Sequence, residues 1–248
     1  MATTVGLGWV SWRVSDNKAL QTFDLGIGAL AGSLAGGRLV YVVAHWGYFS
    51  AHIWEIPQLQ LGGFAWPGAF AGWALGAILA CSLMREPTGK SLEVLMPLAA
   101  VLMVSAWMGC WVDGCAYGFV TDHWWALPAR DEWGIVSRRV PVQVLGALWT
   151  ILLFWLFEVG KYRKKSSAWL AHLGSRVALT SLGLSLGMLG LSFLRGDPAP
   201  VWRELRLESW AAMVIIAVSL LLVIAYRLFP LRNGHDEPRR ERRRLEAG

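Results

Sequence analysis

Long apolar runs without charge constrain the fold of this chain more than any other feature. The clearest run covers residues 213–225 and contains no charged side chain. About 20 apolar residues in a helix cross the hydrocarbon core of a bilayer. Six stretches fit this requirement: 24–46, 62–84, 92–111, 141–160, 168–194 and 208–229. Because backbone polar groups in lipid must be satisfied internally, we predict an all-α integral membrane protein of about six transmembrane helices.

The composition supports a lipid environment and argues against a nucleic-acid partner. Hydrophobic residues make up 55% of the 248 residues and charged residues 16%, whereas a soluble domain carries about 25% charged residues. The 16 tryptophans favour the membrane–water interface. Much of the net charge of +6 lies in residues 161–165 and in arginines 232–244, which flank apolar spans. We therefore predict membrane lipid as a partner and no nucleic acid.

The distribution of basic residues predicts the orientation of the bundle. Arg85, Lys90, residues 161–165 and the arginine-rich tail alternate with apolar spans so that all lie on one side. Basic loops face the cytoplasm, so both termini are predicted to be cytoplasmic. The resulting division is a cytoplasmic N-terminal segment (1–23), a transmembrane bundle (24–229) with outer loops 47–61, 112–140 and 195–207, and a basic disordered tail (230–248). Residues 1–23 lack the pattern of a cleavable signal peptide.

The run GCWVDGCAYG at residues 109–118 follows the third predicted span. Glycine-rich, irregular backbone at membrane depth requires a covering of protein or a water-filled cavity, so this run predicts the wall of an internal site. Its two thiols, Cys110 and Cys115, could be small buried apolar residues, a disulfide or part of a metal site. Two cysteines without a CxxC partner or a nearby histidine make a poor zinc pattern, and we predict no metal.

Six short segments then appear in an order that resembles a known family. They are GGRLVY (36–41), GGFAWPG (62–68), Glu93 with Pro97, the run at 109–118, RVPVQ (139–143) and FLRGD (193–197). Together they resemble the prolipoprotein diacylglyceryl transferases of bacterial inner membranes. The resemblance implies a multi-pass bundle in the bacterial inner (plasma) membrane, without the family's first helix.

The resemblance also implies a reaction and a set of site residues. Members of the family move the diacylglyceryl group of phosphatidylglycerol onto a lipobox cysteine of a prolipoprotein. The phospholipid-binding positions implied for this chain are Arg38, Tyr41, Trp107, Gly114, Tyr117, Gly118, Arg139, Gln143 and Arg195. No cofactor is implied other than a bound phosphatidylglycerol.

This chain departs from the family pattern at its charged positions. The family's signature arginine falls on Trp107, its asparagine on Cys110 and its glutamate on Cys115. Four further polar positions, two histidines and an arginine–glutamate pair, fall on Pro67, Val140, Met188 and Ser192. An indole has one neutral donor and cannot replace the five charged donors of a guanidinium.

Two arginines that remain fall inside predicted spans. Arg38 is costly there unless it is paired or faces a cavity. Arg176 is close enough to the start of its span to extend its charge to the interface.

Two functions follow from these observations. The first is a non-catalytic relative that keeps an anionic-phospholipid-binding fold and serves as a subunit of a larger membrane complex. The alternative is an active transferase that acts on prolipoproteins. In that case Arg38, Arg139 and Arg195 would contact phosphate, and Asp113 or a thiolate at Cys110 or Cys115 would be the base.

Overall fold

Six long helices form the chain in the computed structural model, which describes residues 3–4, 6–8, 16–162 and 173–228. They are α1 (Asp16–Ala44), α2 (Trp66–Met84), α3 (Thr88–Asp113), α4 (Val142–Tyr162), α5 (Leu173–Ser192) and α6 (Leu207–Leu228). The prediction of an all-α membrane bundle is confirmed. The predicted tail, 230–248, lies outside the described residues.

Four of these helices meet the length and hydropathy of a membrane span. They are α1 (from Lys18), α2, α3 and α6. The apolar parts of the other two, Val142–Phe157 in α4 and Arg176–Ser192 in α5, are shorter within the described residues. A locally thinned bilayer accommodates shorter apolar segments at modest cost.

The first helix begins earlier than the apolar stretch in the sequence. That stretch runs over 24–46, whereas α1 begins at Asp16. Gln21 donates a hydrogen bond of 2.8 Å to Glu86, and Lys18 lies 3.8 Å from the same carboxylate. These contacts hold the first turns of α1 against the end of α2. Leu7 is also buried in the core, so part of the predicted N-terminal segment packs into the bundle.

Helices α1 and α2 pack through facing glycines. A Cβ atom added at Gly32 would lie 2.2 Å from the carbonyl oxygen of Gly72, and one added at Gly72 would lie 2.1 Å from that of Gly32. The pairs Gly36–Gly68 and Gly28–Gly76 repeat this close approach. Lipid offers no hydrophobic drive for helix association, so such backbone contact supplies the van der Waals packing.

Helix α3 occupies the centre of the bundle and contacts α1, α2, α4 and α5. Its internal proline, Pro97, is fully buried. Near its start, Glu93 accepts a hydrogen bond of 2.9 Å from Arg176 of α5, and both side chains are largely buried. Arg176 therefore does not extend to the interface as its position in the sequence suggested. It forms an ion pair between two helices inside the protein.

Two small hairpins cover one end of the bundle, which we call the arm end. Strands β1 (Leu127–Arg130) and β2 (Val136–Arg139) pair antiparallel between α3 and α4. Strands β3 (Val201–Trp202) and β4 (Leu205–Arg206) pair between α5 and α6. Residues 117–120, which we call the junction segment, pair with both sides through Val120–Arg139 and Gly118–Arg195. This segment ties strand β2 to the turn that follows α5.

The glycine contact between α1 and α2 is testable by adding one methyl group. In Gly32→Ala or Gly72→Ala the new methyl would overlap a backbone carbonyl, so we expect a loss of about 1–3 kcal/mol of stability. Thermal unfolding in mild detergent measures the change. Gly109→Ala is the matched control, because its Cβ meets nothing within 4 Å and should leave the midpoint unchanged or raised. Equal midpoints for all three variants would contradict the packing described.

Candidate functional site

The residue at the family's signature arginine position, Trp107, lies in an apolar cluster beneath the arm end. Trp107 is buried together with Ala116, Val140, Val142 and Ala147, and we call this set the apolar plug. Met103, Met188 and Leu191 pack around it. The crevice between Trp107, Trp149, Leu184 and Met188 is too narrow for a water molecule. The space is therefore dry and uncharged.

The indole reaches this position because its neighbour on α4 is a glycine. A Cβ atom added at Gly146 would lie 2.2 Å from Cε2 of Trp107, so the ring rests directly on the α4 backbone. A similar contact joins Trp149 to Gly187 of α5, where an added Cβ would lie 2.1 Å from the indole nitrogen. The Trp149 indole donates a hydrogen bond of 3.0 Å to the Gly183 carbonyl. Two tryptophan–glycine contacts thus close the space between α3, α4 and α5.

Arg139 lies at the arm end and is buried with its own counter-ion. Its guanidinium donates to Asp131 at 3.0 Å and stacks over the Tyr117 ring at 4.5 Å from the ring centroid. It also reaches the Gly118 carbonyl at 3.5 Å. Asp131 in turn accepts from the backbone amides of Trp133 and Ile135. A charge that is compensated in this way holds the β1–β2 hairpin in place.

Gln143 connects the start of α4 to the run at 109–118. Its side chain is fully buried and donates a hydrogen bond of 2.9 Å to the carbonyl oxygen of Cys115. Cys115 forms a disulfide with Cys110. Of the three alternatives that the sequence left open for these cysteines, the structure contains the disulfide. With the sulfurs joined, neither residue holds a thiolate, so the candidate role of these cysteines as a base is wrong for this state.

Arg195 belongs to a closed group of four charges. It donates to Asp197 at 2.8 Å through Nε and to Glu208 at 2.6 Å. Arg206 also contacts Asp197, at 3.1 Å. Two arginines and two carboxylates therefore balance one another. This group joins the end of α5, the β3–β4 hairpin and the first turn of α6.

Arg38 is held by backbone carbonyls rather than by a carboxylate. Its side chain is buried and donates to the carbonyl oxygens of Glu55, Ile56 and Gly62, with a distance of 3.0 Å to Ile56. The Phe49 ring lies against the guanidinium, 5.1 Å away. Charged residues within membranes are commonly satisfied by backbone carbonyls. Here the interaction fixes the loop between α1 and α2.

Tyr41 supports the same loop from the other side. Its ring lies 4.2 Å from the His45 ring and 6.1 Å from the Phe49 ring. Gly63 passes so close that an added Cβ would lie 2.5 Å from the tyrosine ring. Arg38 and Tyr41 therefore form a loop anchor on α1.

The titratable groups at the arm end are poorly placed for acid–base chemistry. Burial raises the pKa of the Tyr117 phenol above its ordinary value, and the negative charge of Glu132 raises that pKa further. Tyr117 is therefore protonated at neutral pH and does not act as a base. Asp113, the remaining candidate base, is exposed at the end of α3. Gly114, the next residue, adopts the left-handed cap conformation and packs against the Asp131 carbonyl.

The structure brings together most of the residues that the sequence singled out. Trp107, Tyr117, Gly118, Arg139, Gln143 and Arg195 meet around the apolar plug and the junction segment. The partners of these residues were not predicted. Nothing in the sequence distinguishes Asp131 from an acidic residue on the surface. Gly146 can be identified as the contact for Trp107 only when the packing of α3 against α4 is known.

The fold and the site together define a class of protein. It is a polytopic membrane bundle with two hairpins over a dry, apolar centre. The family model described as prolipoprotein diacylglyceryl transferase matches residues 1–225. The chain therefore belongs to the prolipoprotein diacylglyceryl transferase family, as the six segments indicated.

Individual relatives agree with this assignment. The chain is similar to the phosphatidylglycerol–prolipoprotein diacylglyceryl transferase of Streptomyces griseus, with 29% identity over 248 residues that cover 96% of this chain and 73% of the relative. It is 25% identical to the protein of the same name from Thermosynechococcus vestitus, covering 88% of this chain and 82% of that one. A Streptococcus pneumoniae relative of that name is 26% identical, with 77% and 72% coverage.

The role of Arg38 as a loop anchor predicts a specific loss. In Arg38→Lys a single ammonium cannot reach the Glu55, Ile56 and Gly62 carbonyls together. Each buried carbonyl left without a donor costs about 1–3 kcal/mol, so the unfolding midpoint should fall and protease should cut the loop at 55–63 faster. Arg130→Lys, an exposed position, is the control and should behave like the unmodified chain. Normal loop resistance in Arg38→Lys would show that the anchor is unnecessary.

Proposed function

We propose that this chain is a non-catalytic member of the transferase family that keeps the membrane bundle and serves as a subunit of a larger membrane complex. The observation that supports this most strongly is the apolar plug at Trp107. Release of a phosphate-bearing leaving group needs preorganised donors where negative charge develops. At this position the chain places an indole, two methionines and a glycine backbone.

The arginines at the arm end do not supply the missing donors. Arg139 is paired with Asp131, and Arg195 is paired with Asp197 and Glu208. A phosphate would have to displace these carboxylates from groups that are already desolvated and well positioned. Binding of anionic phospholipid at Arg139 or Arg195 therefore requires the lipid phosphate to take the place of a carboxylate partner.

A membrane orientation with both termini in the cytoplasm accompanies the proposal. Basic residues between α2 and α3 support it through the positive-inside tendency. The Cys110–Cys115 disulfide gives independent support, since it lies at the opposite end of α3 and disulfides persist in oxidising compartments outside the bacterial cytoplasm. The relatives come from bacteria, so we place the chain in the bacterial plasma membrane.

An active transferase is the second candidate, because the relatives are named for transfer between phosphatidylglycerol and prolipoprotein. In that case Arg38, Arg139 and Arg195 would contact phosphate and Asp113 would be the base. The exposure of Asp113 and the ion pairs of Arg139 and Arg195 favour the first proposal over this one, and the Arg38 guanidinium is already bonded to loop carbonyls.

Complementation separates the two candidates. The chain is expressed in bacteria depleted of their own transferase, and the mass of a reporter prolipoprotein is measured. We expect the diacylglyceryl mass increase to be at least about a thousandfold less frequent than with the Streptomyces griseus relative, because more than one charge-stabilising donor is absent. Immunoblotting of the membrane fraction confirms insertion. Modified reporter at a level near that of the relative would overturn the non-catalytic assignment and support the enzyme.

The arm end also offers a surface for a neighbouring subunit. Trp124 is 89% exposed and Trp133 is 74% exposed, with Ile135 and Val136 exposed beside them. Exposed apolar patches of this kind mark sites of contact with other proteins or with the membrane interface, and the proposal assigns this one to a neighbouring subunit. Tryptophan is also enriched among the residues that dominate binding energy at interfaces.

The subunit role predicts a change in assembly size when this surface is altered. Native membranes solubilised in mild detergent should contain the chain in a particle larger than the 27.4 kDa protein alone and its detergent. Trp124→Ala/Trp133→Ala should shift it toward the monomer, because interface tryptophans contribute about 2 kcal/mol or more each. Val214→Ala, on the exposed face of α6, is the control. A monomeric unmodified chain would contradict the subunit role.

A further inference from the structure

The Cys110–Cys115 disulfide links the last turn of α3 to the residue that follows its glycine cap. The amides of Gly114 and Cys115 both donate to the Cys110 carbonyl at 3.0 Å, so the bridge closes a very short loop. Cys115 is exposed and Cys110 is half-buried. Cys115 is therefore the more accessible of the two cysteines, and thiol–disulfide exchange depends on such access.

The position of Cys115 determines how the chain enters the junction segment. Its carbonyl accepts the fully buried amide of Gln143, so the residue is held from both sides. Ala116, the next residue, has φ of 51°. This left-handed conformation is unfavourable for alanine and persists only where its surroundings hold it. The disulfide is one of the constraints that hold it.

The junction segment carries hydrogen bonds to the end of the β1–β2 hairpin and to the turn that follows α5. The Gly196 amide donates to the Tyr117 carbonyl at 2.8 Å, the Phe119 amide to the Leu194 carbonyl at 3.2 Å, and the Val140 amide to the Phe119 carbonyl at 2.9 Å. Each of these three bonds has one partner at Tyr117 or Phe119, within four residues of Cys115. Release of Cys115 removes a constraint immediately before them.

We propose that Cys110–Cys115 is a reversible redox site, and that its reduction by a dithiol loosens the junction segment. One thiolate of the dithiol attacks the Cys115 sulfur and forms a mixed disulfide, while Cys110 departs as a thiolate and takes up a proton. The second thiol of the reductant then loses its proton and attacks the reductant's first sulfur in the mixed disulfide. This step releases Cys115, which takes up a proton. Two electrons pass from the dithiol to the protein, and the reductant leaves as a cyclic disulfide.

The effect is local to the arm end. A disulfide stabilises a fold less when it closes a short loop than when it closes a long one, and this loop spans a separation of 5 residues. The helices keep their glycine contacts and the Glu93–Arg176 pair in either state, because none of these involves Cys110 or Cys115. Reduction changes the order of the arm end in the same way whether the chain is catalytic or non-catalytic.

Hydrogen exchange of the full chain in lipid nanodiscs, with and without dithiothreitol, tests the proposal. After reduction we expect the amides of Phe119, Val140 and Gly196 to exchange about tenfold faster or more, as in a local opening. The amides of α2 and α6 should keep their rates. Labelling with a thiol-reactive mass tag in the folded protein counts the free cysteines and should rise by two.

Two variants control the experiment. Cys110→Ser/Cys115→Ser should show the fast exchange with or without dithiothreitol. Cys81→Ala, which changes the buried free cysteine, should respond like the unmodified chain. Equal exchange in the oxidised and reduced forms would overturn the proposal. So would a disulfide that resists dithiothreitol until the protein unfolds, or a uniform acceleration across all helices.

Discussion

The contact between the Trp107 indole and the bare backbone of Gly146 is the interaction on which the interior of this protein depends. It fills the space between α3 and α4 with a ring that lies directly on a helix. Met188 and Leu191 complete the enclosure from α5. The resemblance places the family's signature arginine at Trp107. Loss of one preorganised donor typically lowers an enzymatic rate by about a hundred- to a thousandfold, which is why we propose that this chain is non-catalytic.

The charges that remain are used to hold the structure together. Arg38 is bonded to loop carbonyls, Arg139 to Asp131, Arg176 to Glu93, and Arg195 to Asp197 and Glu208. Removing one partner from such a buried pair leaves an uncompensated charge and costs about 3–5 kcal/mol. Each pairing therefore resists the exchange that phosphate binding would require. The arm end is organised as a set of satisfied interactions around the junction segment.

Much of the fold could be predicted because a lipid environment restricts the choice of structure. The six apolar stretches predicted six helices, although α1 extends to Asp16, before the apolar stretch at 24–46 begins. Contacts between residues that are far apart in the chain could not be predicted from the sequence alone. Nothing near Arg176 identifies Glu93, which is 83 residues away, as its partner. The register of Gly32 against Gly72 depends in the same way on helix packing.

The sequence singled out residues at the arm end but not their contacts. The segments at 109–118, 139–143 and 193–197 meet in the structure because the junction segment pairs with both Arg139 and Arg195. The disulfide was one of three alternatives, since five residues of separation alone do not decide whether two thiols meet. The closed charge group of Arg195 needed the position of Glu208, which the sequence places on the following helix.

A transfer assay with the purified chain tests the central claim most directly. The protein is reconstituted with phosphatidylglycerol labelled in its acyl chains and with a prolipoprotein, beside the Streptomyces griseus relative in the same vesicles. Our account predicts no label on the prolipoprotein above the protein-free background, because Trp107 fills the centre of the bundle and Arg139 and Arg195 are paired with carboxylates. Label transfer at a rate comparable to that of the relative would contradict it.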